Sequence, residues 1–207
     1  MQVKVLNLSL SFGERVIFSD ASLSLMSPSM AAIVGPSGSG KTSLLSVIAG
    51  SIAPDSGHVE ITPATAGSPR IEWIVQSSPL LPKRTALENV MLGPLSTGQE
   101  DSHSMELSLR ALQDLNLHLL SHQRVDRLSG GERQRVAVAR AIAAKSKILL
   151  ADEPTASLDA KSREAVCDAL VAARDNGGVV VVATHDPYVA QRCDLAYSVV
   201  AGKLVQL

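Results

Sequence analysis

One stretch constrains this chain more than any other: GPSGSGKT at 35–42, set between the apolar run 30–34 and a helically spaced segment. In that segment Leu44, Leu45, Val47, Ile48 and Ala49 recur until Gly50 stops them. The string matches G-x-x-x-x-G-K-[ST] and lies between a predicted strand and a predicted helix. Gly35, Gly38 and Gly40 let backbone N–H groups turn inward around phosphate oxygens, and the helix start adds the positive end of its dipole. Pro36, Ser37, Ser39 and Ser43 complete the predicted phosphate-binding run.

The flanking sequence sets this loop in an α/β frame. The first 27 residues alternate in short β-type runs (Val3, Val5, Leu6, Leu8; Val16, Ile17; Leu23, Leu25), with Phe12-Gly13 as a turn, and read as antiparallel strands. Strands at 58–62 and 70–75 follow, separated by a Pro/Gly/Ser/Thr loop. Helices are expected near 86–91, 104–115 and 131–144. Then come a strand at 147–151, a helix at 160–174, a strand at 178–183, a short helix after Asp186, and closing strands near 194–200 and 203–205. Alternating strands and helices at both ends predict an α/β fold with a mainly parallel sheet core. An N-terminal antiparallel β-subdomain and an inserted helical subdomain complete the expectation: a single domain over 1–207, with 1–76 and 147–207 as the nucleotide-binding core and 77–146 as the helical subdomain.

Composition removes several classes. With 207 residues, 45% of them hydrophobic, the chain can bury a sizeable core, which excludes intrinsic disorder. Lys plus Arg (19) nearly balance Asp plus Glu (20), and aromatics are 2%, so a nucleic-acid partner is not expected. Cys167 and Cys193 form no metal-type spacing and read as structural thiols of a reducing compartment. No run approaches the ~18 apolar residues of a membrane helix, and the N-terminus has no signal-peptide core.

Lys41 is placed to reach the β- and γ-phosphates of a nucleotide, and the Thr42 hydroxyl to ligate Mg²⁺. KILLADE at 147–153 is an apolar strand ending in two carboxylates. Asp152 falls where the Mg²⁺-directed acid is needed beside Thr42, and Glu153 is left to act on a water.

LSGGERQR at 128–135 resembles the signature motif of the nucleotide-binding subunits of ABC (ATP-binding cassette) transporters, and the family's other parts follow in order. Phe12 stands where the family carries an aromatic that stacks on adenine. Gln76 resembles the Q-loop glutamine, Ser157-Leu158-Asp159 the D-loop, and His185 the switch histidine. A Ser-Gly-Gly at a helix start makes a second anion site, which suits a neighbouring copy's nucleotide. The resemblance implies two cassettes sandwiching two ATPs head to tail. Ser129, Gly130 and Gly131 would contact the γ-phosphate held by the opposite Lys41, and Asp159 would face the partner's phosphate loop. Glu153 would be the general base, with His185 holding the γ-phosphate and water in line. Gln76 would touch Mg²⁺ and report nucleotide state to the helical subdomain. Implied partners are a second copy or homologous cassette and an integral membrane transporter subunit. The implied cofactors are ATP and Mg²⁺, and the implied location is cytoplasmic, peripheral on the inner face of the cell membrane.

SSPLLPKRTALENVMLGPL after Gln76 resembles the lipoprotein-release, macrolide-export and cell-division branch. Its Leu80, Leu81, Leu87, Val90 and Leu92, stiffened by Pro79 and Pro82, are expected to form a groove for a coupling helix of the membrane subunit. The loop around 63–69 is expected to be trimmed, and no extra C-terminal domain is expected after Leu207. The alternatives are a soluble ABC ATPase acting in assembly or cell-division signalling, and a cassette that binds without hydrolysis; the space between Thr42 and Leu128 leaves no room for a long coiled coil. His118 and His122 have metal-ligand spacing but no third ligand nearby. The arginines at 124–140 are assigned to nucleotide and subunit contacts, and Met26 and Met30 to the core.

Overall fold

Two antiparallel strands open the computed structural model, which describes residues 1–62, 70–77 and 79–207. The expected trimmed loop at 63–69 lies outside the described residues. β1 (Gln2–Phe12) and β2 (Arg15–Met26) pair from Gln2↔Met26 to Phe12↔Arg15, joined by a two-residue turn. Gly13 supplies the positive φ, +61°, that such a hairpin demands at its first central position. Burial alternates along β2, so Leu25 is buried while Met26, expected in the core, is 65% exposed; Met30 is fully buried. The correction follows from the pleat.

β3 (Ser29–Val34) leads through the glycine-rich loop into α1 (Lys41–Ile48), and β4 (Ser56–Thr62) pairs antiparallel with β1. β5 (Ile71–Ile74), α2 (Ala86–Ser96), α3 (Asp101–Asp114), α4 (Gly130–Ala143), β6 (Ile148–Asp152) and α5 (Ala160–Asp175) follow. β7 (Val179–Ala183), α6 (Pro187–Gln191), β8 (Leu195–Val200) and β9 (Lys203–Gln206) close the chain. One sheet has the order β2-β1-β4 and the other β5-β6-β7-β3-β8-β9. In the second, β6, β7, β3 and β8 run parallel, and β9 pairs antiparallel with β8. ILLAD in β6 and VVVVA in β7 are buried at every position, the continuous apolar run that a parallel strand covered on both faces requires. Leu8, Leu10, Phe18, Ile33, Leu44, Leu150 and Val181 share one hydrophobic core.

The chain forms two compact units: Met1–Trp73 with Lys147–Glu153 and Arg174–Leu207, and Ile74–Ser146 with Pro154–Ala173. Sequence grouping put 154–173 with the nucleotide-binding core. In the structure this segment is tied to α4, through Gln134 Nε2 donating to the Pro154 carbonyl at 3.5 Å and through an Arg135–Ser162 hydrogen bond. Within the second unit α2 and α4 come into backbone contact at Gly93, where a Cβ would sit 2.2 Å from the Arg140 carbonyl oxygen. Leu87 and Val90, expected to line a groove, are instead core residues of this unit, whereas Leu81 and Leu92 are exposed. The helical period turns 87 and 90 inward together. Arg84, on the exposed side, pairs with Glu88 at 2.9 Å.

Candidate nucleotide site

β3, β6 and β7 are parallel neighbours, so their carboxyl ends share one edge of the sheet, where open α/β sheets bind ligands. From β3 comes the glycine-rich loop. Gly40 caps α1 at φ +104°, and a Cβ there would lie 2.5 Å from Ile17 Cγ2, so both conformation and space demand glycine. At Gly35 a Cβ would lie 2.8 Å from Ser39 Oγ. That hydroxyl is buried and, among the described residues, has no hydrogen-bond partner, as suits a donor awaiting a ligand oxygen. The Lys41 ammonium donates to the Gly35 and Pro36 carbonyls at 2.8 and 3.2 Å, which holds this buried cation against the loop.

From the end of β6 comes Asp152. The Thr42 hydroxyl donates to its Oδ2 at 2.6 Å. Burial pushes the Asp152 carboxyl above the usual aspartate range and the Glu153 charge adds to this, against the lowering effects of the Thr42 bond and of Lys41. Two hard oxygen donors side by side fit Mg²⁺, which usually takes its other positions from phosphates and water.

Glu153 has left-handed φ, +47°, which is uncommon and strained for such a side chain. Its N–H still donates to the Ala183 carbonyl at 2.9 Å, while its carboxylate lies against the end of β7. There His185 Nδ1 stands 2.8 Å from Oε1, and the Thr184 hydroxyl and His185 N–H approach Oε2 at 3.4 and 3.5 Å. The structure therefore brings Glu153 and His185 into direct contact. Thr184, which sequence reasoning missed, carries no motif signal beyond its place beside His185. Phe12, half exposed at the end of β1, sits opposite Arg15, whose Nη2 donates to the Gly38 carbonyl at 2.7 Å.

Gln76, Ser129, Gly130, Gly131 and Asp159 belong to the second unit. Gln76 is exposed in the turn after β5. Ser129 is the N-cap of α4: its hydroxyl accepts from the Glu132 N–H at 3.3 Å, and Glu132 accepts from the Ser129 N–H at 2.7 Å. The Ser129 backbone N–H, and then its hydroxyl, hold the Glu132 carboxyl below the usual range. A Cβ on Gly131 would lie 3.2 Å from Leu158 Cδ2, so the signature glycine abuts the D-loop segment. Asp159 accepts from the Ser162 N–H and hydroxyl at 2.9 and 2.8 Å, which depress its carboxyl pKa. Ser162 also takes the Arg135 guanidinium, so Arg135, the last residue of LSGGERQR, and Ser162, which no motif announced, cross-tie signature helix and D-loop.

An ABC transporter family model matches residues 18–156. The lipoprotein-releasing system ATP-binding protein LolD of Shewanella oneidensis is 39% identical over 201 residues, covering 91% of this chain and 87% of that protein. The macrolide export ATP-binding/permease protein MacB of Campylobacter jejuni is 34% identical over 210 residues; these cover 96% of this chain but 33% of MacB. Among solved structures, a dimeric ATP-binding cassette in a post-hydrolysis state with ADP and Pi superposes with a TM-score of 0.88. Its sequence identity is 30%, over 99% of this chain and 97% of that one. These relatives bear out the lipoprotein-release and macrolide-export resemblance read from the segment after Gln76. The chain belongs to the ABC transporter family, as an ATP-binding cassette of the ABC ATPase type.

Proposed function

We propose that this cassette binds ATP and Mg²⁺, closes with a second copy or a homologous cassette around two nucleotides, and hydrolyses the β–γ phosphoanhydride to drive a separate membrane subunit. The whole chain would act as one ABC ATPase domain. The observation that carries the reading is the pair of contacts at the sheet edge, Thr42 to Asp152 and Glu153 to His185.

Gly35 to Ser43 wrap the phosphates, Lys41 leaves the loop carbonyls for the β- and γ-oxygens, and Phe12 faces adenine. Thr42 and Asp152, with Gln76, would hold Mg²⁺, which when bound neutralises charge on the β- and γ-phosphates. Glu153 takes the proton of the attacking water while His185 orients that water and the γ-phosphate. Ser129, Gly130, Gly131 and Asp159 serve the partner's nucleotide. No helix among the described residues is long and apolar enough to cross a membrane. We assign the cassette to the inner face of the membrane through its partner; the names of its relatives, an ATP-binding protein of a releasing system and an export ATP-binding/permease protein, support that assignment.

Glu153→Gln tests the reading. Binding of ATP should persist while phosphate release falls by at least ~10²-fold, the scale of losing a catalytic base. Size-exclusion chromatography with ATP and Mg²⁺ should then show an accumulated dimer. Turnover at the wild-type rate would remove Glu153 from the mechanism.

A further inference from the structure

We propose that Arg15 is a positioning residue of the phosphate loop, pinning the Gly38 peptide from outside so that the loop is pre-shaped for nucleotide phosphates. The inference rests on the reading that 35–42 receives ATP. Arg15 is the first residue of β2, directly across the Gly13 turn from Phe12, and its Nη2 donates to the Gly38 carbonyl at 2.7 Å.

Each trans peptide fixes its N–H and carbonyl in opposition, so a turn that takes up an N–H inside the loop leaves the carbonyl of that peptide facing out. Such an outward carbonyl needs a donor. The Arg15 guanidinium supplies a charge-assisted one at Gly38, where φ is +77° and a Cβ would meet only Arg15 Nη2 within 4 Å. The same peptide's N–H, on Ser39, closes a turn onto the Pro36 carbonyl at 3.2 Å, so fixing one end of the unit fixes the other. A second point of registration lies two and three residues along β2, where Ile17 and Phe18 press on Gly40. The hairpin therefore holds the loop at both of its inner glycines. Arg15 itself is exposed, so its removal should leave the core intact.

The test uses the full chain with Arg15→Gln, Arg15→Lys and, as control, Lys41→Ala. Affinities for Mg·ATP and Mg·ADP are measured over a salt series, alongside melting temperature and steady-state hydrolysis. Arg15→Gln should weaken ATP and ADP alike by about 3- to 10-fold, the scale of one hydrogen bond in an exposed setting. KM should rise with kcat unchanged, the melting temperature should hold, and Arg15→Lys should recover most of the loss. The salt dependence of binding should stay as in wild type, because the guanidinium grips the loop and not the ligand. Unchanged affinity in Arg15→Gln overturns the proposal, as does a loss accompanied by a flatter salt dependence or a matching fall in melting temperature. Retained nucleotide binding by Lys41→Ala would instead overturn the underlying reading of the loop.

Discussion

Asp152 shows how the site trades stability for a charge. Folding raises its pKa, so the proton favours the folded chain: that contribution is full below the unfolded value near 3.8 and is lost as pH rises through the folded value. At neutral pH the buried carboxylate weighs against the fold. Asp152→Asn should therefore raise the melting temperature at pH 7 in chelator, while abolishing the further rise that Mg²⁺ with nucleotide gives wild type. A lower melting temperature in chelator would contradict this account. Lys41, Thr42, Asp152 and Glu153 were singled out in the sequence because each belongs to a short motif with a mechanical reason, and His185 because it stands where the family resemblance places a histidine. Thr184 and Ser162 were not, since a lone hydroxyl gains meaning only from what the fold sets beside it. The left-handed turn at Glu153 was equally hidden, as nothing in KILLADE distinguishes it from a strand that simply runs on.

Elements carry the next layer, and two of them begin in the same way. Thr85 with Glu88 at α2 and Ser129 with Glu132 at α4 are both complete capping boxes, which the sequence reading passed over. Ser129→Ala should cost about 1 kcal/mol through loss of the cap, lowering the melting temperature by about 2–4 °C. The Glu132 carboxyl is held low by Ser129, so its contribution is present above its unfolded value of 4.5 and fades as pH falls through the folded value. Thermal melts should therefore show the gap between Ser129→Ala and wild type holding from pH 7 down to about 4.5 and narrowing only below it, as Glu132 protonates; a gap that stays constant below that pH would show that Glu132 plays no part in the cap. The misread residues were Leu87 and Val90 of α2, two of the five apolar residues between 77 and 95 that suggested a surface groove. Periodicity shows which side chains share a face, but not whether that face meets a partner or the other helices of its own unit. Leu87→Asp should accordingly unfold the second unit, a charge buried without a partner, and measure as a collapse of the cooperative melt.

At the scale of the whole molecule the expected α/β architecture is present, with the antiparallel strands and the parallel sheet where alternation put them. The placement of 154–173 was not legible, because membership in a unit depends on tertiary ties such as Arg135 to Ser162 and not on local pattern. If each nucleotide is shared between one copy's Lys41 and the other's Ser129, then Lys41→Ala and Ser129→Arg should each be inactive alone. Mixed in equal amounts they should regain activity, since roughly a quarter of the original composite sites are whole in such a mixture. Phosphate release measured across mixing ratios checks this, and a flat zero would speak against shared sites. The β1–β2 hairpin has a consequence for anyone who would borrow this loop. Ile17 abuts Gly40 and Arg15 grips Gly38, so the eight residues 35–42 are moulded by a segment some twenty positions upstream. Grafted into a foreign scaffold without that hairpin, the motif would keep its spelling and lose its mould.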